Sequence, residues 1–365
     1  MKISFVYEKL KSFNPFFLSY ILILQGIGWL SIYSTSFEKP FLFKQQLLWI
    51  LISWIIFFII SYIKITFIVK TLWPLFLFHM ICLSLIFILG KEVDSAKRWL
   101  NLGFFYYQPS ETLKIILVLL TAHKISQRPL RKPFDFMNLL PFFFTLIPPL
   151  FLVFLQPDLG TAGITLIIIA SLILFQGVER KTLFIFSALF ITSTPLIWSF
   201  ILKPYQKSRV LSFIKPGKDP QGTGYNVIQS KIAIGSGQIF GKGFKKGTQN
   251  KLQFLPERHT DFIFSVLSEE YGFLGSSFVL SVYFLMIVFI FNLARSTRDR
   301  LSCYFCLAIG SFLMWHVVLN ISMVMGLFPV VGIPLPLLSY GGSNLITTMT
   351  FLGIATSIYK DKNLF

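Results

Sequence analysis

The chain has 365 residues, 55% of them apolar and only 13% charged, with a mean hydropathy of +0.72. That balance excludes an ordinary water-soluble domain. Its net charge is +18, from 33 Lys and Arg against 15 Asp and Glu, so the position of the basic residues carries the information.

Apolar runs long enough to cross about 30 Å of hydrocarbon recur along the whole chain. Ten are expected, at 15–36, 45–63, 71–90, 110–126, 136–155, 161–178, 182–202, 262–294, 301–327 and 337–359. The fourth is the weakest, with Glu111 and Lys114 near its start. The first lacks a small-residue cleavage site and is not followed by polar sequence, so it reads as a span rather than a cleaved signal. Backbone groups in lipid must be satisfied within their own segment, and no ten-residue alternation suggests a barrel. The expectation is a single all-α polytopic membrane domain over residues 1–365. Short links such as VERKT and ARSTRDR should make neighbouring helices antiparallel partners.

With a cytoplasmic N-terminus, the cytoplasmic segments hold 16 basic residues (Lys2, Lys9, Lys11, Lys64, Lys70, Lys124, Arg128, Arg131, Lys132, Arg180, Lys181, Arg295, Arg298, Arg300, Lys360, Lys362). The short outer loops hold 5 (Lys39, Lys44, Lys91, Lys97, Arg98). This asymmetry places both termini in the cytoplasm. It also puts a large loop, 203–261, outside the membrane between spans seven and eight. That loop carries 11 basic residues against Asp219, Glu257 and Asp261, and long loops escape the charge rule. Anionic membrane headgroups, or a phosphate-bearing lipid ligand, suit such a surface. Nucleic acid does not, because the loop faces the wrong side.

Taken in order, the outer segment 91–109 is amphipathic and aromatic (Trp99, Phe104, Phe105, Tyr106, Tyr107) and should lie in the membrane interface. Glu111 and Lys114 share a helical face and can pair, either to fix helix packing or to line a cavity where Lys114 meets a phosphate. Asp158, in QPDLG, needs a cation from elsewhere, with Lys207 and Arg209 as candidates; structural pairing and substrate contact both remain open. Cys82, Cys303 and Cys306 fall in apolar spans. The CxxC lacks the second half of a zinc site, so it reads as packing. His79 and His316 fit interhelical hydrogen bonding better than metal binding.

Val227 to Ile234 should form a short helix within the outer loop. The stretch GSGQIFGKG (Gly235 to Gly243) has the wrong spacing for a nucleotide-binding loop, and Gly243 stands where Ser or Thr is needed. A backbone nest for a diphosphate and a plain flexible turn remain its alternatives. The passage QFLPERHTDFIFSVLSEEYG (Gln253 to Gly272) gathers Glu257, Arg258, His259 and Asp261 where a new span begins. Asp261 can be a partly desolvated general base, or Thr260 or Asp261 can cap the helix. Glu269 would lie about 12 Å along the axis from Asp261, too far for a paired-carboxylate glycosidase. The segment Pro329 to Ser343, with three prolines and three glycines, should form irregular backbone in a cavity wall.

Five of these passages together resemble the SEDS family (shape, elongation, division and sporulation), whose members are RodA and FtsW. They are KRWLNLGFFYYQPSE, QPDLGTA, YQKSRVLSFIKPGKDPQGTGYNVIQSKIAIGSGQIFGKG, GTQNKLQFLPERHTDFIFSVLSEEYGFLG and PLPLLSYGGS, in the family's order. Arg258 in PERHTDF resembles the RodA branch. The resemblance implies a peptidoglycan glycosyltransferase of the bacterial cytoplasmic membrane that polymerises lipid II and releases undecaprenyl pyrophosphate. It implies Asp261 as the catalytic carboxylate, and substrate-binding positions at Arg98, Trp99, Glu111, Lys114, Asp158, Arg209, Lys231, Glu257, Arg258 and His259. A class B penicillin-binding protein is the implied partner. A divalent cation, Mg or Mn, could assist the diphosphate, although no ligand cluster in the sequence marks one. The rival expectations are a flippase for the lipid-linked precursor and a scaffold for the penicillin-binding protein.

Overall fold

The computed structural model describes residues 13–36, 40–93, 96–101, 103, 106–129, 132–214, 223–252 and 254–363. Lys2, Lys9, Lys11, Lys39, Phe104, Phe105, Arg131, Gly217, Asp219, Gly222 and Gln253 are among the positions outside the described residues. The elements are α1 (Pro15–Thr35), α2 (Pro40–Ser61), α3 (Ile65–Leu89), β1 (Lys91–Val93), β2 (Ala96–Asn101), β3 (Tyr106–Tyr107), α4 (Pro109–Ser126), α5 (Phe136–Leu155), α6 (Leu159–Gln176) and α7 (Arg180–Leu196). There follow a π-helical turn (Ile197–Ile201), α8 (Pro204–Ile214), α9 (Thr223–Ser236), α10 (Thr248–Lys251), α11 (Ile263–Ser296), α12 (Arg300–Val324) and α13 (Gly342–Asn363).

Ten long helices therefore stand where ten spans are expected. Among the described residues, eight are apolar enough over a sufficient length to cross a bilayer, and α4 and α13 are the two that fall short. Their place in the bundle supplies the reason. α4 packs against α3, α6, α12 and α13, and α13 packs against α2, α4 and α12. Fourteen residues of α4 are buried. Helices sheathed by protein do not have to be soluble in lipid, so they tolerate Glu111, Lys114 and Thr348 where a lipid-facing helix would not. α7 is the opposite case: Thr182 is its one buried residue.

Not every short link joins packed neighbours. α1 meets α2, α3 meets α4 and α11 meets α12, but α2 packs chiefly against α13. The segment 91–107 adds a detail that the sequence did not show. Its described residues form a small antiparallel sheet in the order β1-β2-β3, with Lys91 opposite Trp99 and Leu100 opposite Tyr107, beside the helical bundle.

α11 is broken at Gly272, whose φ of 65° and ψ of −159° lie outside the helical region. The loop of Gly235 to Gly243 packs into this break. A Cβ on Gly272 would lie 2.3 Å from the Gly241 nitrogen, so glycine is required there. The amides of Lys242 and Gly243 donate to the Glu269 and Glu270 carbonyls at 3.0 and 2.9 Å, and those of Phe273 and Leu274 donate back to Gln238 and Ile239. These loop amides are already used, which disfavours the diphosphate-nest alternative. The glycines serve close approach to α11 instead.

Candidate functional site

Asp261 lies on a turn before α11 and is partly exposed. The cap position of α11 is Phe262, and no side chain caps the helix. The turn closes on itself through Thr260 N and Phe262 N, which both donate to the Glu257 carbonyl. Neither Thr260 nor Asp261 is the cap, which leaves the Asp261 carboxylate without that structural duty.

The irregular segment after α12 holds this turn in place. Asn320 Nδ2, on α12, donates to the Asp261 carbonyl at 2.9 Å and to the Ile333 carbonyl at 2.7 Å. Ser339 Oγ donates to the Thr260 carbonyl at 2.7 Å and accepts from Leu335 N at 2.8 Å. Tyr340 N donates to the His259 carbonyl at 2.9 Å. Gly332 has φ 75°, and a Cβ there would stand 3.3 Å from Asp261 Oδ2. The expected wall of Pro329 to Ser343 is thus the backing of the acidic turn.

Burial pushes the Asp261 carboxyl up to about 7, and the negative charge of Glu257 adds to the rise. Arg209 opposes it, Asp158 adds to it and Arg98 opposes it, so these four charges surround the carboxylate. They come from four places in the chain. Arg98 is on β2, its Nε donating to the Gln156 carbonyl at 3.1 Å and its terminal nitrogen to the Pro157 carbonyl. Asp158 caps α6 by accepting from Thr161 N at 3.2 Å, and it also accepts from Gln108 Nε2 at 3.1 Å and Ser110 Oγ at 3.3 Å. Its hydrogen bonds are thus supplied by neutral groups. Arg209 is on α8, and Glu257 is exposed and accepts from Thr260 Oγ1 at 2.9 Å.

The other expected positions lie around this centre. Arg258 is buried and donates to the Asn250 carbonyl at 2.8 Å, anchoring the turn to α10. His259 Nδ1 stands 2.6 Å from Thr35 Oγ1 at the end of α1. Trp99 is partly exposed on β2 beside Arg98. Lys231 is exposed on α9, its side chain over the turn at Gly326.

Glu111 and Lys114 form a closed interior pair. Lys114 Nζ donates to both Glu111 oxygens at 3.1 and 3.2 Å and to His316 Nε2 at 3.1 Å. Because lysine can only donate, His316 carries its proton on Nδ1 and gives it to the Phe312 carbonyl. All three Lys114 hydrogens are thereby engaged inside the bundle, which is the packing alternative of the pair. His79 likewise joins α3 to Tyr107 and Thr112, and the cysteines are free thiols.

Among the described residues, no three His, Cys, Asp or Glu side chains gather to hold a metal. Around Asp261 two carboxylates, Asp158 and Glu257, stand against two arginines, Arg98 and Arg209. Sequence reasoning missed Asn320, Ser339, Tyr340 and Gly332 as supports of the acidic turn. Asn320 left a signal, as a polar amide inside an apolar span.

A family model described as a cell cycle protein, FtsW/RodA/SpoVE, matches residues 15–364. The peptidoglycan glycosyltransferase MrdB of Escherichia coli K12 is 38% identical over 289 residues, covering 78% of each chain. The probable peptidoglycan glycosyltransferase FtsW of Wigglesworthia glossinidia brevipalpis is 34% identical over 370 residues, covering 99% of this chain and 94% of its own. Among solved structures, a chain of a peptidoglycan synthase complex coordinating polymerization and crosslinking superposes with a TM-score of 0.82 at 27% identity, covering 96% of this chain and 98% of that one. The rod shape determining protein RodA of Thermus thermophilus gives 0.70 at 25% identity, covering 96% and 97%.

Proposed function

Because this chain belongs to the FtsW/RodA/SpoVE family of multi-pass membrane proteins, we propose that it polymerises lipid II through Asp261 on the outer face of the bacterial cytoplasmic membrane. It is a peptidoglycan glycosyltransferase, as its relatives are named, and the MrdB likeness favours a role in cell elongation and shape. The observation that carries the catalytic assignment is the Asp261 carboxyl raised to about 7 on a turn pinned by Asn320, Ser339 and Tyr340. A base poised near the working pH combines ionisation with proton affinity.

In the proposed reaction, Asp261 takes the proton of an acceptor sugar hydroxyl. The freed oxygen bonds to the donor's anomeric carbon as that carbon's bond to the diphosphate oxygen breaks. Undecaprenyl pyrophosphate leaves with the bonding electrons. Arg98 and Arg209 bring positive charge to the place where the diphosphate becomes a leaving group. Asp158 and Glu257 help keep Asp261 basic, while Arg258 and His259 position its turn. Glu111 and Lys114 set the packing of α4 behind it. Trp99 and Lys231 lie at the rim as contacts for the larger substrate. No step is routed through a metal ion.

The charge asymmetry of the short loops supports cytoplasmic termini, with residues 203–261 outside. A class B penicillin-binding protein is the proposed partner, supported by the likeness to a subunit of a synthase complex. Purified protein given labelled lipid II tests the assignment. Glycan strands should form and should vanish with Asp261→Asn. Translocation without polymerisation would mark a flippase, and neither activity would leave a scaffold.

A further inference from the structure

Two buried carboxylates outside the Asp261 centre have no part in that chemistry. Glu269 and Glu270 end the first part of α11, just before the break at Gly272, and are 0% and 1% exposed. One oxygen of each is well supplied. Glu269 Oε1 accepts from Lys242 Nζ at 2.7 Å, Thr248 N at 2.7 Å, Thr248 Oγ1 at 3.0 Å and Gln249 N at 3.2 Å. Glu270 Oε1 accepts from Ser34 Oγ, and the Lys245 amide and the Asn250 side chain also reach this carboxylate.

The second oxygens are different. Glu269 Oε2 and Glu270 Oε2 are buried with no donor, as are Asn250 Oδ1 and Gln249 Oε1. Asn250 is 1% exposed, and its Nδ2 donates to the Ser34 carbonyl at 3.1 Å, so the amide orientation is settled and the oxygen is the end left over. The four oxygens belong to one turn of α10 and one turn of α11. Gly247 marks how closely these meet: a Cβ there would lie 2.8 Å from Glu269 Oε2 and 3.6 Å from Glu270 Cγ. Buried acceptors lacking donors are rare and costly. Lys242 Nζ forms an ion pair with Glu269.

We propose that the carboxylates of Glu269 and Glu270, with the amide oxygens of Asn250 and Gln249, hold a hard metal cation. Oxygen-only ligands of this kind take Na, Ca, Mg or Mn ions rather than zinc or copper. The ion would join α10 to the bend of α11 and, through Ser34, to the end of α1. Because the Asn250 carbonyl also receives Arg258, three residues before Asp261, the ion would steady the acidic turn from behind. This inference does not rest on the proposed catalysis.

The test uses the full chain in detergent, stripped with a chelator and exchanged into choline chloride. NaCl, CaCl2, MgCl2 or MnCl2 is then titrated at matched ionic strength while thermal unfolding is followed, with bound Mn counted by electron paramagnetic resonance. At least one cation should raise the unfolding temperature saturably with a stoichiometry of one. Glu270→Gln and Glu269→Gln should each raise the half-saturating concentration at least about tenfold, and Asp261→Asn should leave it unchanged. A wild-type chain insensitive to all four ions overturns the proposal and leaves a shared proton as the closure. So does an undiminished response in Glu270→Gln, or loss of the response in Asp261→Asn. Should Glu269→Gln not fold, the wild-type stoichiometry and Glu270→Gln still decide.

Discussion

Replacing Asp261 with asparagine should make the protein more stable, by an amount that grows as pH rises from about 4 to about 7. The carboxyl sits at about 7 in the folded chain against an ordinary 3.8. A raised folded value means that the native state binds the proton more tightly than the unfolded chain. Stability contributed by the protonated form is therefore complete below about pH 4 and lost as pH rises to about 7. At 1.36 kcal/mol per unit, holding the ionised form costs on the order of 4 kcal/mol above pH 7, an upper limit because the side chain keeps some contact with solvent. Asparagine removes that cost while keeping the shape. Unfolding of wild type and Asp261→Asn in detergent should nearly coincide at about pH 3.5 and separate progressively up to about pH 8, the variant melting higher. In parallel, wild-type polymerisation should fall about tenfold per unit below pH 7, as the ionised fraction does. A variant equally or less stable than wild type at pH 8 would refute the reasoning, because the carboxylate would then not be held against its own electrostatics.

Three further outcomes follow from the same contacts. Lys114→Met leaves Glu111 charged and unpaired in the interior and should cost about 3–5 kcal/mol, measured by denaturant unfolding; adding Glu111→Gln should restore most of it. Gly332→Ala puts a methyl group 3.3 Å from Asp261 Oδ2 on left-handed backbone. It should cost about 1–2 kcal/mol of stability and slow polymerisation by on the order of ten- to a hundredfold; full activity would mean that the carboxylate is not confined there. Ser339→Ala removes the bond to the Thr260 carbonyl and the acceptor for Leu335 N, so it should destabilise by about 1–3 kcal/mol, with a larger loss in turnover than in substrate affinity.

Much of this molecule is legible in one dimension. Hydropathy places ten long helices to within a few residues at most ends, because a lipid-facing helix must be apolar along its whole length. The density of ionisable groups at Glu257 to Asp261 marks the candidate centre, because charge is expensive at a membrane boundary. The motifs supply the family. The sequence leaves three alternatives open: cap or base for Asp261, packing or cavity for Glu111 and Lys114, and nest or turn for Gly235 to Gly243.

Tertiary contacts remove the cap reading of Asp261, favour packing for Glu111 and Lys114, and favour the turn for Gly235 to Gly243. The helix cap fell one residue later, at Phe262, which depends on how the turn closes onto Glu257 rather than on any local preference. Lys114 found His316, 202 positions away, and its third donor was thereby consumed. The loop glycines met the bend at Gly272, a contact that appears only once two distant backbones approach. The pairing of the strands at 91–107 likewise joins residues that amphipathicity alone does not register. Periodicity and polarity are properties of single segments and can be read along a chain. The charge felt at Asp261 comes from four separate elements, so it exists only when folding brings Arg98, Asp158, Arg209 and Glu257 around one turn.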